Sequence, residues 1–269
     1  MRFFRLLFQR YIQGSFHVAL MALCYFQITH LQWNLQTNAK DQLFVFCLTF
    51  LAYNGIKHMK YIIKHKRLPK GLAIVKLVIF LCVCQSIYVY VGLATVQQVL
   101  LGGCFLLTVA YAVPLPYIGH NLRSQTGLKI FIVALCWTLL SAVFPLLQLG
   151  VFGLEHYLFF FERFVLIFLA TLPFEISDLH QDDSELGTIP QLIGVKNTKR
   201  LGFFLIAIFW AILLLNPKLS ESELLAFSGI TIAYGITFFK IHPNSSKYIT
   251  LFWVEAIPLI GVLLYQLKF

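Results

Sequence analysis

Nine stretches of this chain are apolar enough to be read as membrane-crossing segments, and that feature constrains the fold more than any other. They cover residues 15–33, 41–54, 72–92, 96–113, 128–149, 157–176, 201–216, 224–239 and 248–267. Phe, Leu and Ile dominate them with no sustained two-residue alternation, so helices are expected and not the strands of a barrel. Only 12% of the 269 residues are charged while 59% are hydrophobic. A soluble domain carries about a quarter charged residues, so too little polar surface exists to cover a core of this size in water. A soluble enzyme, a secreted disulfide scaffold and a disordered adaptor are all disfavoured. The expectation is an all-α polytopic membrane protein with nine transmembrane helices, one integral membrane domain over residues 1–269.

Charge then orients the chain. Lys and Arg number 21 against 11 Asp and Glu, a formal +10. With a cytoplasmic N-terminus, that side receives Arg2, Arg5, Arg10, Lys57, Lys60, Lys64, Lys66, Arg67, Lys70, Arg123, Lys196, Lys199, Arg200, Lys240 and Lys247. The other side receives Lys40, Lys218 and Lys268, a ratio of fifteen to three. The positive-inside rule therefore predicts N-terminus in, within the cell's inner membrane. The excess reads as contact with anionic lipid head groups and not with nucleic acid. The cysteines, Cys24, Cys47, Cys82, Cys84, Cys104 and Cys136, all lie in apolar stretches without C-x-x-C spacing and read as packing residues.

Five of the eleven acidic residues fall between positions 175 and 185. Glu175, Asp178, Asp182 and Glu185 follow an i, i+3, i+7, i+10 spacing, one face of a helix if the sixth apolar segment continues. Stacked like charges repel. A bound cation relieves that repulsion, and a few carboxylates completed by water and phosphate are how Mg²⁺ is usually held. A solvated acidic loop balancing nearby lysines fits the same spacing. Inside the spans, Glu162, Arg163 and Glu255 are costly in hydrocarbon and are expected to face a cavity or one another. Trp33 and Tyr248 read as interfacial anchors.

The run from Pro173 to Gly194, PFEISDLHQDDSELGTIPQLIG, resembles the second aspartate-rich motif of the UbiA superfamily of intramembrane prenyltransferases. That motif reads D-x-x-D-x-x-x-D, then G, T-L-P and a later G. Glu175, Asp178 and Asp182 take the acidic places, and Gly187, Thr188, Pro190 and Gly194 match the tail. Tyr111-Ala112-Val113-Pro114-Leu115 is similar to the Y-[ST]-x-P-L signature closing the family's fourth helix. Arg123, Leu128-Lys129 and Trp137 resemble its basic loop and the start of its fifth helix. The family's first motif, N-D-x-x-D-x-x-x-D, is degenerate here. Asn54 fits its asparagine, but Gly55, His58 and Ile62 stand at the aspartate places.

The resemblance implies a nine-helix UbiA-like bundle that moves a prenyl group from a polyprenyl diphosphate to an aromatic or other lipophilic acceptor. It implies Mg²⁺ held by Asp178 and Asp182 with Glu175 assisting, and diphosphate contacts from Asn54, Lys57, Arg123 and Lys129. Tyr111 is the candidate to face the prenyl cation with its ring. With the first motif lacking carboxylates, two readings stay open. Either lysines at Lys57, Lys60 and Lys64 have replaced the first motif's metal, with one Mg²⁺ held by Asp178 and Asp182 completing the site, or they are loop charges and the chain is a silent relative that binds lipid diphosphates or a protein partner.

Overall fold

The computed structural model describes residues 2–65, 73–114, 121–150, 152–183 and 186–267. Lys66, Arg67, Lys70, Leu115, Glu185 and Lys268 lie outside the described residues, and for Arg2, Lys60 and Ile62 the backbone alone is described. The helices are α1 (Arg2–Gln13), α2 (Phe16–Gln32), α3 (Ala39–His65), α4 (Ala73–Val91), α5 (Thr95–Ala112), α6 (Leu128–Thr138), α7 (Phe144–Leu146), α8 (Leu154–Asp178), α9 (Ile189–Leu213), α10 (Glu221–Lys240) and α11 (Ile257–Tyr265). No strand occurs among the described residues, as the absence of alternation predicts.

Among the described residues, five helical stretches are long and apolar enough to cross a membrane: Ile74–Val91, Thr95–Ala112, Leu128–Leu149, Leu154–Asp178 and Glu221–Lys240. Ile249–Tyr265 is apolar but shorter. The expected spans at 15–33, 41–54 and 201–216 overlap α2, α3 and α9; α2 is too short, and α3 and α9 are long enough but not apolar enough, to be counted with those five. The faces of α4 and α5 explain why lipid is needed. Ile74, Leu77, Phe80, Ile87, Val99, Phe105 and Leu106 are each more than half exposed. A contiguous apolar surface of this kind is stable only against hydrocarbon.

The packed half of the bundle is built from α8 against α6 and α9, and from α10 against α11. Leu166, Leu169, Leu172 and Ile176 of α8 recur at helical spacing and are fully buried against Phe209, Phe227, Ile230 and Phe238. Between α6 and α7 the backbone widens into a π-turn over Leu139–Val143, just ahead of Pro145. Proline has no N–H to offer the carbonyl four residues back. The hydroxyl of Thr29 on α2 donates to that carbonyl, Ser141 O, at 2.7 Å.

Helix α1 is amphipathic, with Phe4, Leu6 and Leu7 exposed among its arginines, the composition of a helix lying in the membrane interface. It turns into α2 at Gly14-Ser15, where Ser15 has φ +64°. His17 Nε2 donates to Phe252 O at 3.0 Å, and its Nδ1 accepts from the Tyr11 hydroxyl at 2.8 Å. Those bonds tie the α1–α2 corner to the segment that precedes α11.

Candidate functional site

Helix α8 ends at the acidic run. Glu175 is buried in its last turns, 4% exposed, and Asp178 closes the helix. The carbonyl of Asp178 then accepts from Gln181 N at 2.7 Å and Asp182 N at 2.8 Å. This turn brings Asp182 back toward the helix end. Lys129, in the first turn of α6, reaches both carboxylates, its Nζ lying 3.0 Å from Glu175 Oε1 and 2.8 Å from Asp182 Oδ2. Asp178 sits in the electrostatic field of Lys129, Asp182, Lys247 and Arg123.

Two backbone features hold this arrangement. Gly187, with φ +54°, lies against Thr126, where an added Cβ would come within 2.2 Å of the Thr126 methyl carbon. Gly127 N donates to Gly187 O at 3.2 Å across the same contact. The loop after the acidic run is thereby fastened to the loop before Lys129. The Thr188-Ile189-Pro190-Gln191 tail starts α9. Thr188 N donates to Gln191 Oε1 at 2.8 Å, and Pro190 falls in the first turn, where its missing N–H has no partner to lose. Gly194, at φ +78°, breaks the regular helix within α9.

Arg123 lies in a 3₁₀ turn, Leu122–Ser124, capped by Asn121. Ser124 N donates to Asn121 Oδ1 at 3.0 Å, and Asn121 Nδ2 donates to Ala112 O at the end of α5 at 3.4 Å. Tyr111, 6% exposed, stands one residue earlier, within the field of Arg123, Lys129, Glu175 and Asp182. Beside these charges is an apolar cavity of about 430 Å³ lined by Leu107, Leu122, Leu128, Phe131, Leu135 and Phe164. Two of its lining residues, Leu122 and Leu128, are the sequence neighbours of Arg123 and Lys129.

Six expected site residues therefore converge: Tyr111, Arg123, Lys129, Glu175, Asp178 and Asp182. Asn54 and Lys57 are engaged elsewhere. Asn54 is 2% exposed, and its Nδ2 donates to Gly14 O at 3.0 Å and Phe50 O at 2.9 Å. Its Oδ1 is buried without a partner. Lys57 Nζ donates to Gln13 O. Both therefore fasten the α1–α2 corner. Burial, and then the charge of Lys57, hold the His58 imidazole below its ordinary pKa, so it is neutral at pH 7. Lys247 was counted in the sequence only as one loop charge among fifteen. Its place beside Asp178 had no sequence signal, because the two are brought together by the fold alone.

Glu162 and Arg163 form a separate buried network nearer the other end of α8. Arg163 is fully buried, donating to Tyr25 O at 2.9 Å and Gln32 Oε1 at 2.6 Å, with its guanidinium 5.3 Å from the Phe159 ring. The expectation that the two face one another is met only electrostatically: each lies in the other's field, while Glu162 interacts with Gln32, the residue that also accepts from Arg163.

Oxygen donors such as Glu175, Asp178 and Asp182 are the right chemistry for Mg²⁺. As arranged, they do not fit it. Lys129 already holds one oxygen from each of two carboxylates. Among the described residues no group of three or more His, Cys, Asp or Glu side chains converges to hold a metal ion.

No family model matches this chain, and no curated protein matches it in sequence. Among solved structures, a UbiA homolog from Archaeoglobus fulgidus bound to GPP and Mg²⁺ matches with a TM-score of 0.60 at 11% identity. The match covers 96% of this chain and 97% of that one. The chain thus has a UbiA-like, all-helical membrane fold over nearly its whole length.

Proposed function

We propose that this chain is a UbiA-like intramembrane prenyltransferase with a degenerate first motif. It binds a polyprenyl diphosphate at the Lys129 end of the bundle, which faces the cytoplasm together with the N-terminus. It moves the prenyl group to an aromatic or other lipophilic acceptor. The observation carrying this reading is the meeting, within a UbiA-like fold, of Arg123, Lys129 and Lys247 with Glu175, Asp178 and Asp182 beside an apolar cavity.

In the reaction, the allylic C–O bond breaks and its electron pair leaves with the diphosphate. A nucleophilic atom of the acceptor captures the carbocation, and the acceptor then loses a proton. Negative charge grows on the departing diphosphate, so cations fixed there beforehand lower the barrier. The Arg123 guanidinium offers a planar fork for phosphate oxygens. Glu175 and Asp182 hold the Lys129 ammonium in position, and Asp178 lies in the field of Arg123 and Lys247. The Tyr111 ring faces the carbocation, and the apolar cavity takes the prenyl tail. No step is assigned to Mg²⁺, because Lys129 engages two of the three carboxylates expected to hold it, Glu175 and Asp182.

A second reading is favoured by Asn54 and Lys57, whose donors go to backbone carbonyls of the α1–α2 corner. In it, the chain binds lipid diphosphates without turning them over. Reconstituted protein given GPP and a panel of lipophilic acceptors separates the two. Transfer releases pyrophosphate, and Asp178→Asn lowers that release. A GPP-dependent rise in Tm with no pyrophosphate from any acceptor supports silent binding and rejects transfer.

A further inference from the structure

The acidic motif of this chain already contains a cation. The Lys129 ammonium bridges Glu175 and Asp182 across 53 residues of sequence. The three groups are largely withdrawn from solvent, with side-chain exposures of 17%, 5% and 9%. At the degenerate first motif, positions 55, 58 and 62 hold Gly, His and Ile, so no carboxylate is available there for a second ion. Lys129 pairs directly with Glu175 and Asp182, and Asp178 lies in the electrostatic field of Lys129, Lys247 and Arg123. The charge that would draw a divalent ion is thereby met from within the chain.

We propose that Lys129 takes the place of a divalent ion in this motif, so that a prenyl diphosphate is bound by ammonium and guanidinium groups with no divalent ion required. The proposal rests on the reading of this site as a prenyl diphosphate site. An ammonium has three N–H donors. Glu175 and Asp182 take two, and the third is left for a phosphate oxygen. The bridge also fixes where that donor points, since two contacts to carboxylates on one helix end leave the ammonium little freedom. Arg123, exposed on its capped turn, supplies the second anchor. Lys129 is then a substrate-binding residue, and Glu175 and Asp182 position it.

The test uses the full chain in nanodiscs, with GPP binding followed by calorimetry and by Tm, in EDTA and in Mg²⁺. The expected result is equal affinity in both. Lys129→Met should lower affinity in EDTA by about tenfold or more, the size of one charge-assisted contact, and Lys129→Arg should restore most of it. Mn²⁺ alone, followed by its spin-resonance signal, should not bind the native chain but should bind Lys129→Met, whose carboxylates are released. GPP binding that appears only with Mg²⁺ overturns the proposal and leaves the diphosphate site intact. No GPP binding in either condition overturns both. Should Lys129→Met fail to fold, the native chain in EDTA against Mg²⁺ still decides the question.

Discussion

Gly187 and Thr126 are in contact so close that any side chain on Gly187 would have to displace the threonine, its Cβ falling 2.2 Å from the methyl carbon. That contact, with the bond from Gly127 N to Gly187 O, fastens the loop after the acidic run to the loop that precedes Lys129.

Gly187→Ala should therefore act at the site as well as on stability. The residue sits at φ +54°, where a Cβ costs about 1–2 kcal/mol, and the clash with Thr126 adds to it. The expected outcome is a fall in Tm together with weaker GPP binding. A companion Thr126→Gly should recover part of both, because it removes the atoms in the way. Recovery of neither would disprove the packing account.

Thr29→Val removes the one hydroxyl that serves the Ser141 carbonyl ahead of Pro145. The side chain keeps its volume, but a buried carbonyl loses its donor, which costs about 1–3 kcal/mol. Equilibrium unfolding in mixed micelles should show that loss, with the bundle otherwise unchanged. An unaltered stability would mean that the π-turn satisfies Ser141 in another way.

Leu135→Trp fills part of the apolar cavity beside Lys129. If the prenyl tail lies there, the variant should discriminate against longer prenyl diphosphates while retaining GPP. Competition between GPP and a longer homologue measures the ratio. An identical ratio in native and variant protein places the tail elsewhere.

His58 gives a pH dependence whose sign follows from its surroundings. Burial and the Lys57 charge lower its pKa in the folded chain below the ordinary value of about 6.5. As pH falls through that value, the unfolded chain takes up the proton first, so stability is lost on the acid side and is fully present above it. The slope of Tm against pH just below neutrality should flatten in His58→Gln. A slope unchanged by the substitution would assign the acid loss to other groups.

Glu175 and Asp178 were legible from helical spacing, because the periodicity of a helix end is a local property. The helix ends at Asp178, however, and does not carry Asp182 on the same face as expected; a turn that closes on the Asp178 carbonyl brings Asp182 back instead. The start of α9 at Thr188 and Pro190 was carried by the motif, because caps and prolines also act within a few residues. Asn54 and Lys57 were legible as residues but not in what they hold. Their partners, Gly14 O and Gln13 O, are backbone atoms 40 and 44 positions away, and any residue type supplies a carbonyl. The placement of Arg163 under Tyr25 and Gln32 was equally hidden, since its cost in hydrocarbon demanded a partner without naming one.

By itself the sequence determined that this chain is helical and lives in lipid, because apolar length and scarcity of charge are sums over neighbouring residues. It also determined that acids gather at the end of α8 while the degenerate first motif has none. Only the tertiary structure decided what neutralises those acids. Electrostatic pairing depends on distances of about 3 Å between side chains far apart in the chain, and the packing of α6 on α8 brings Lys129 within that range of Glu175 and Asp182.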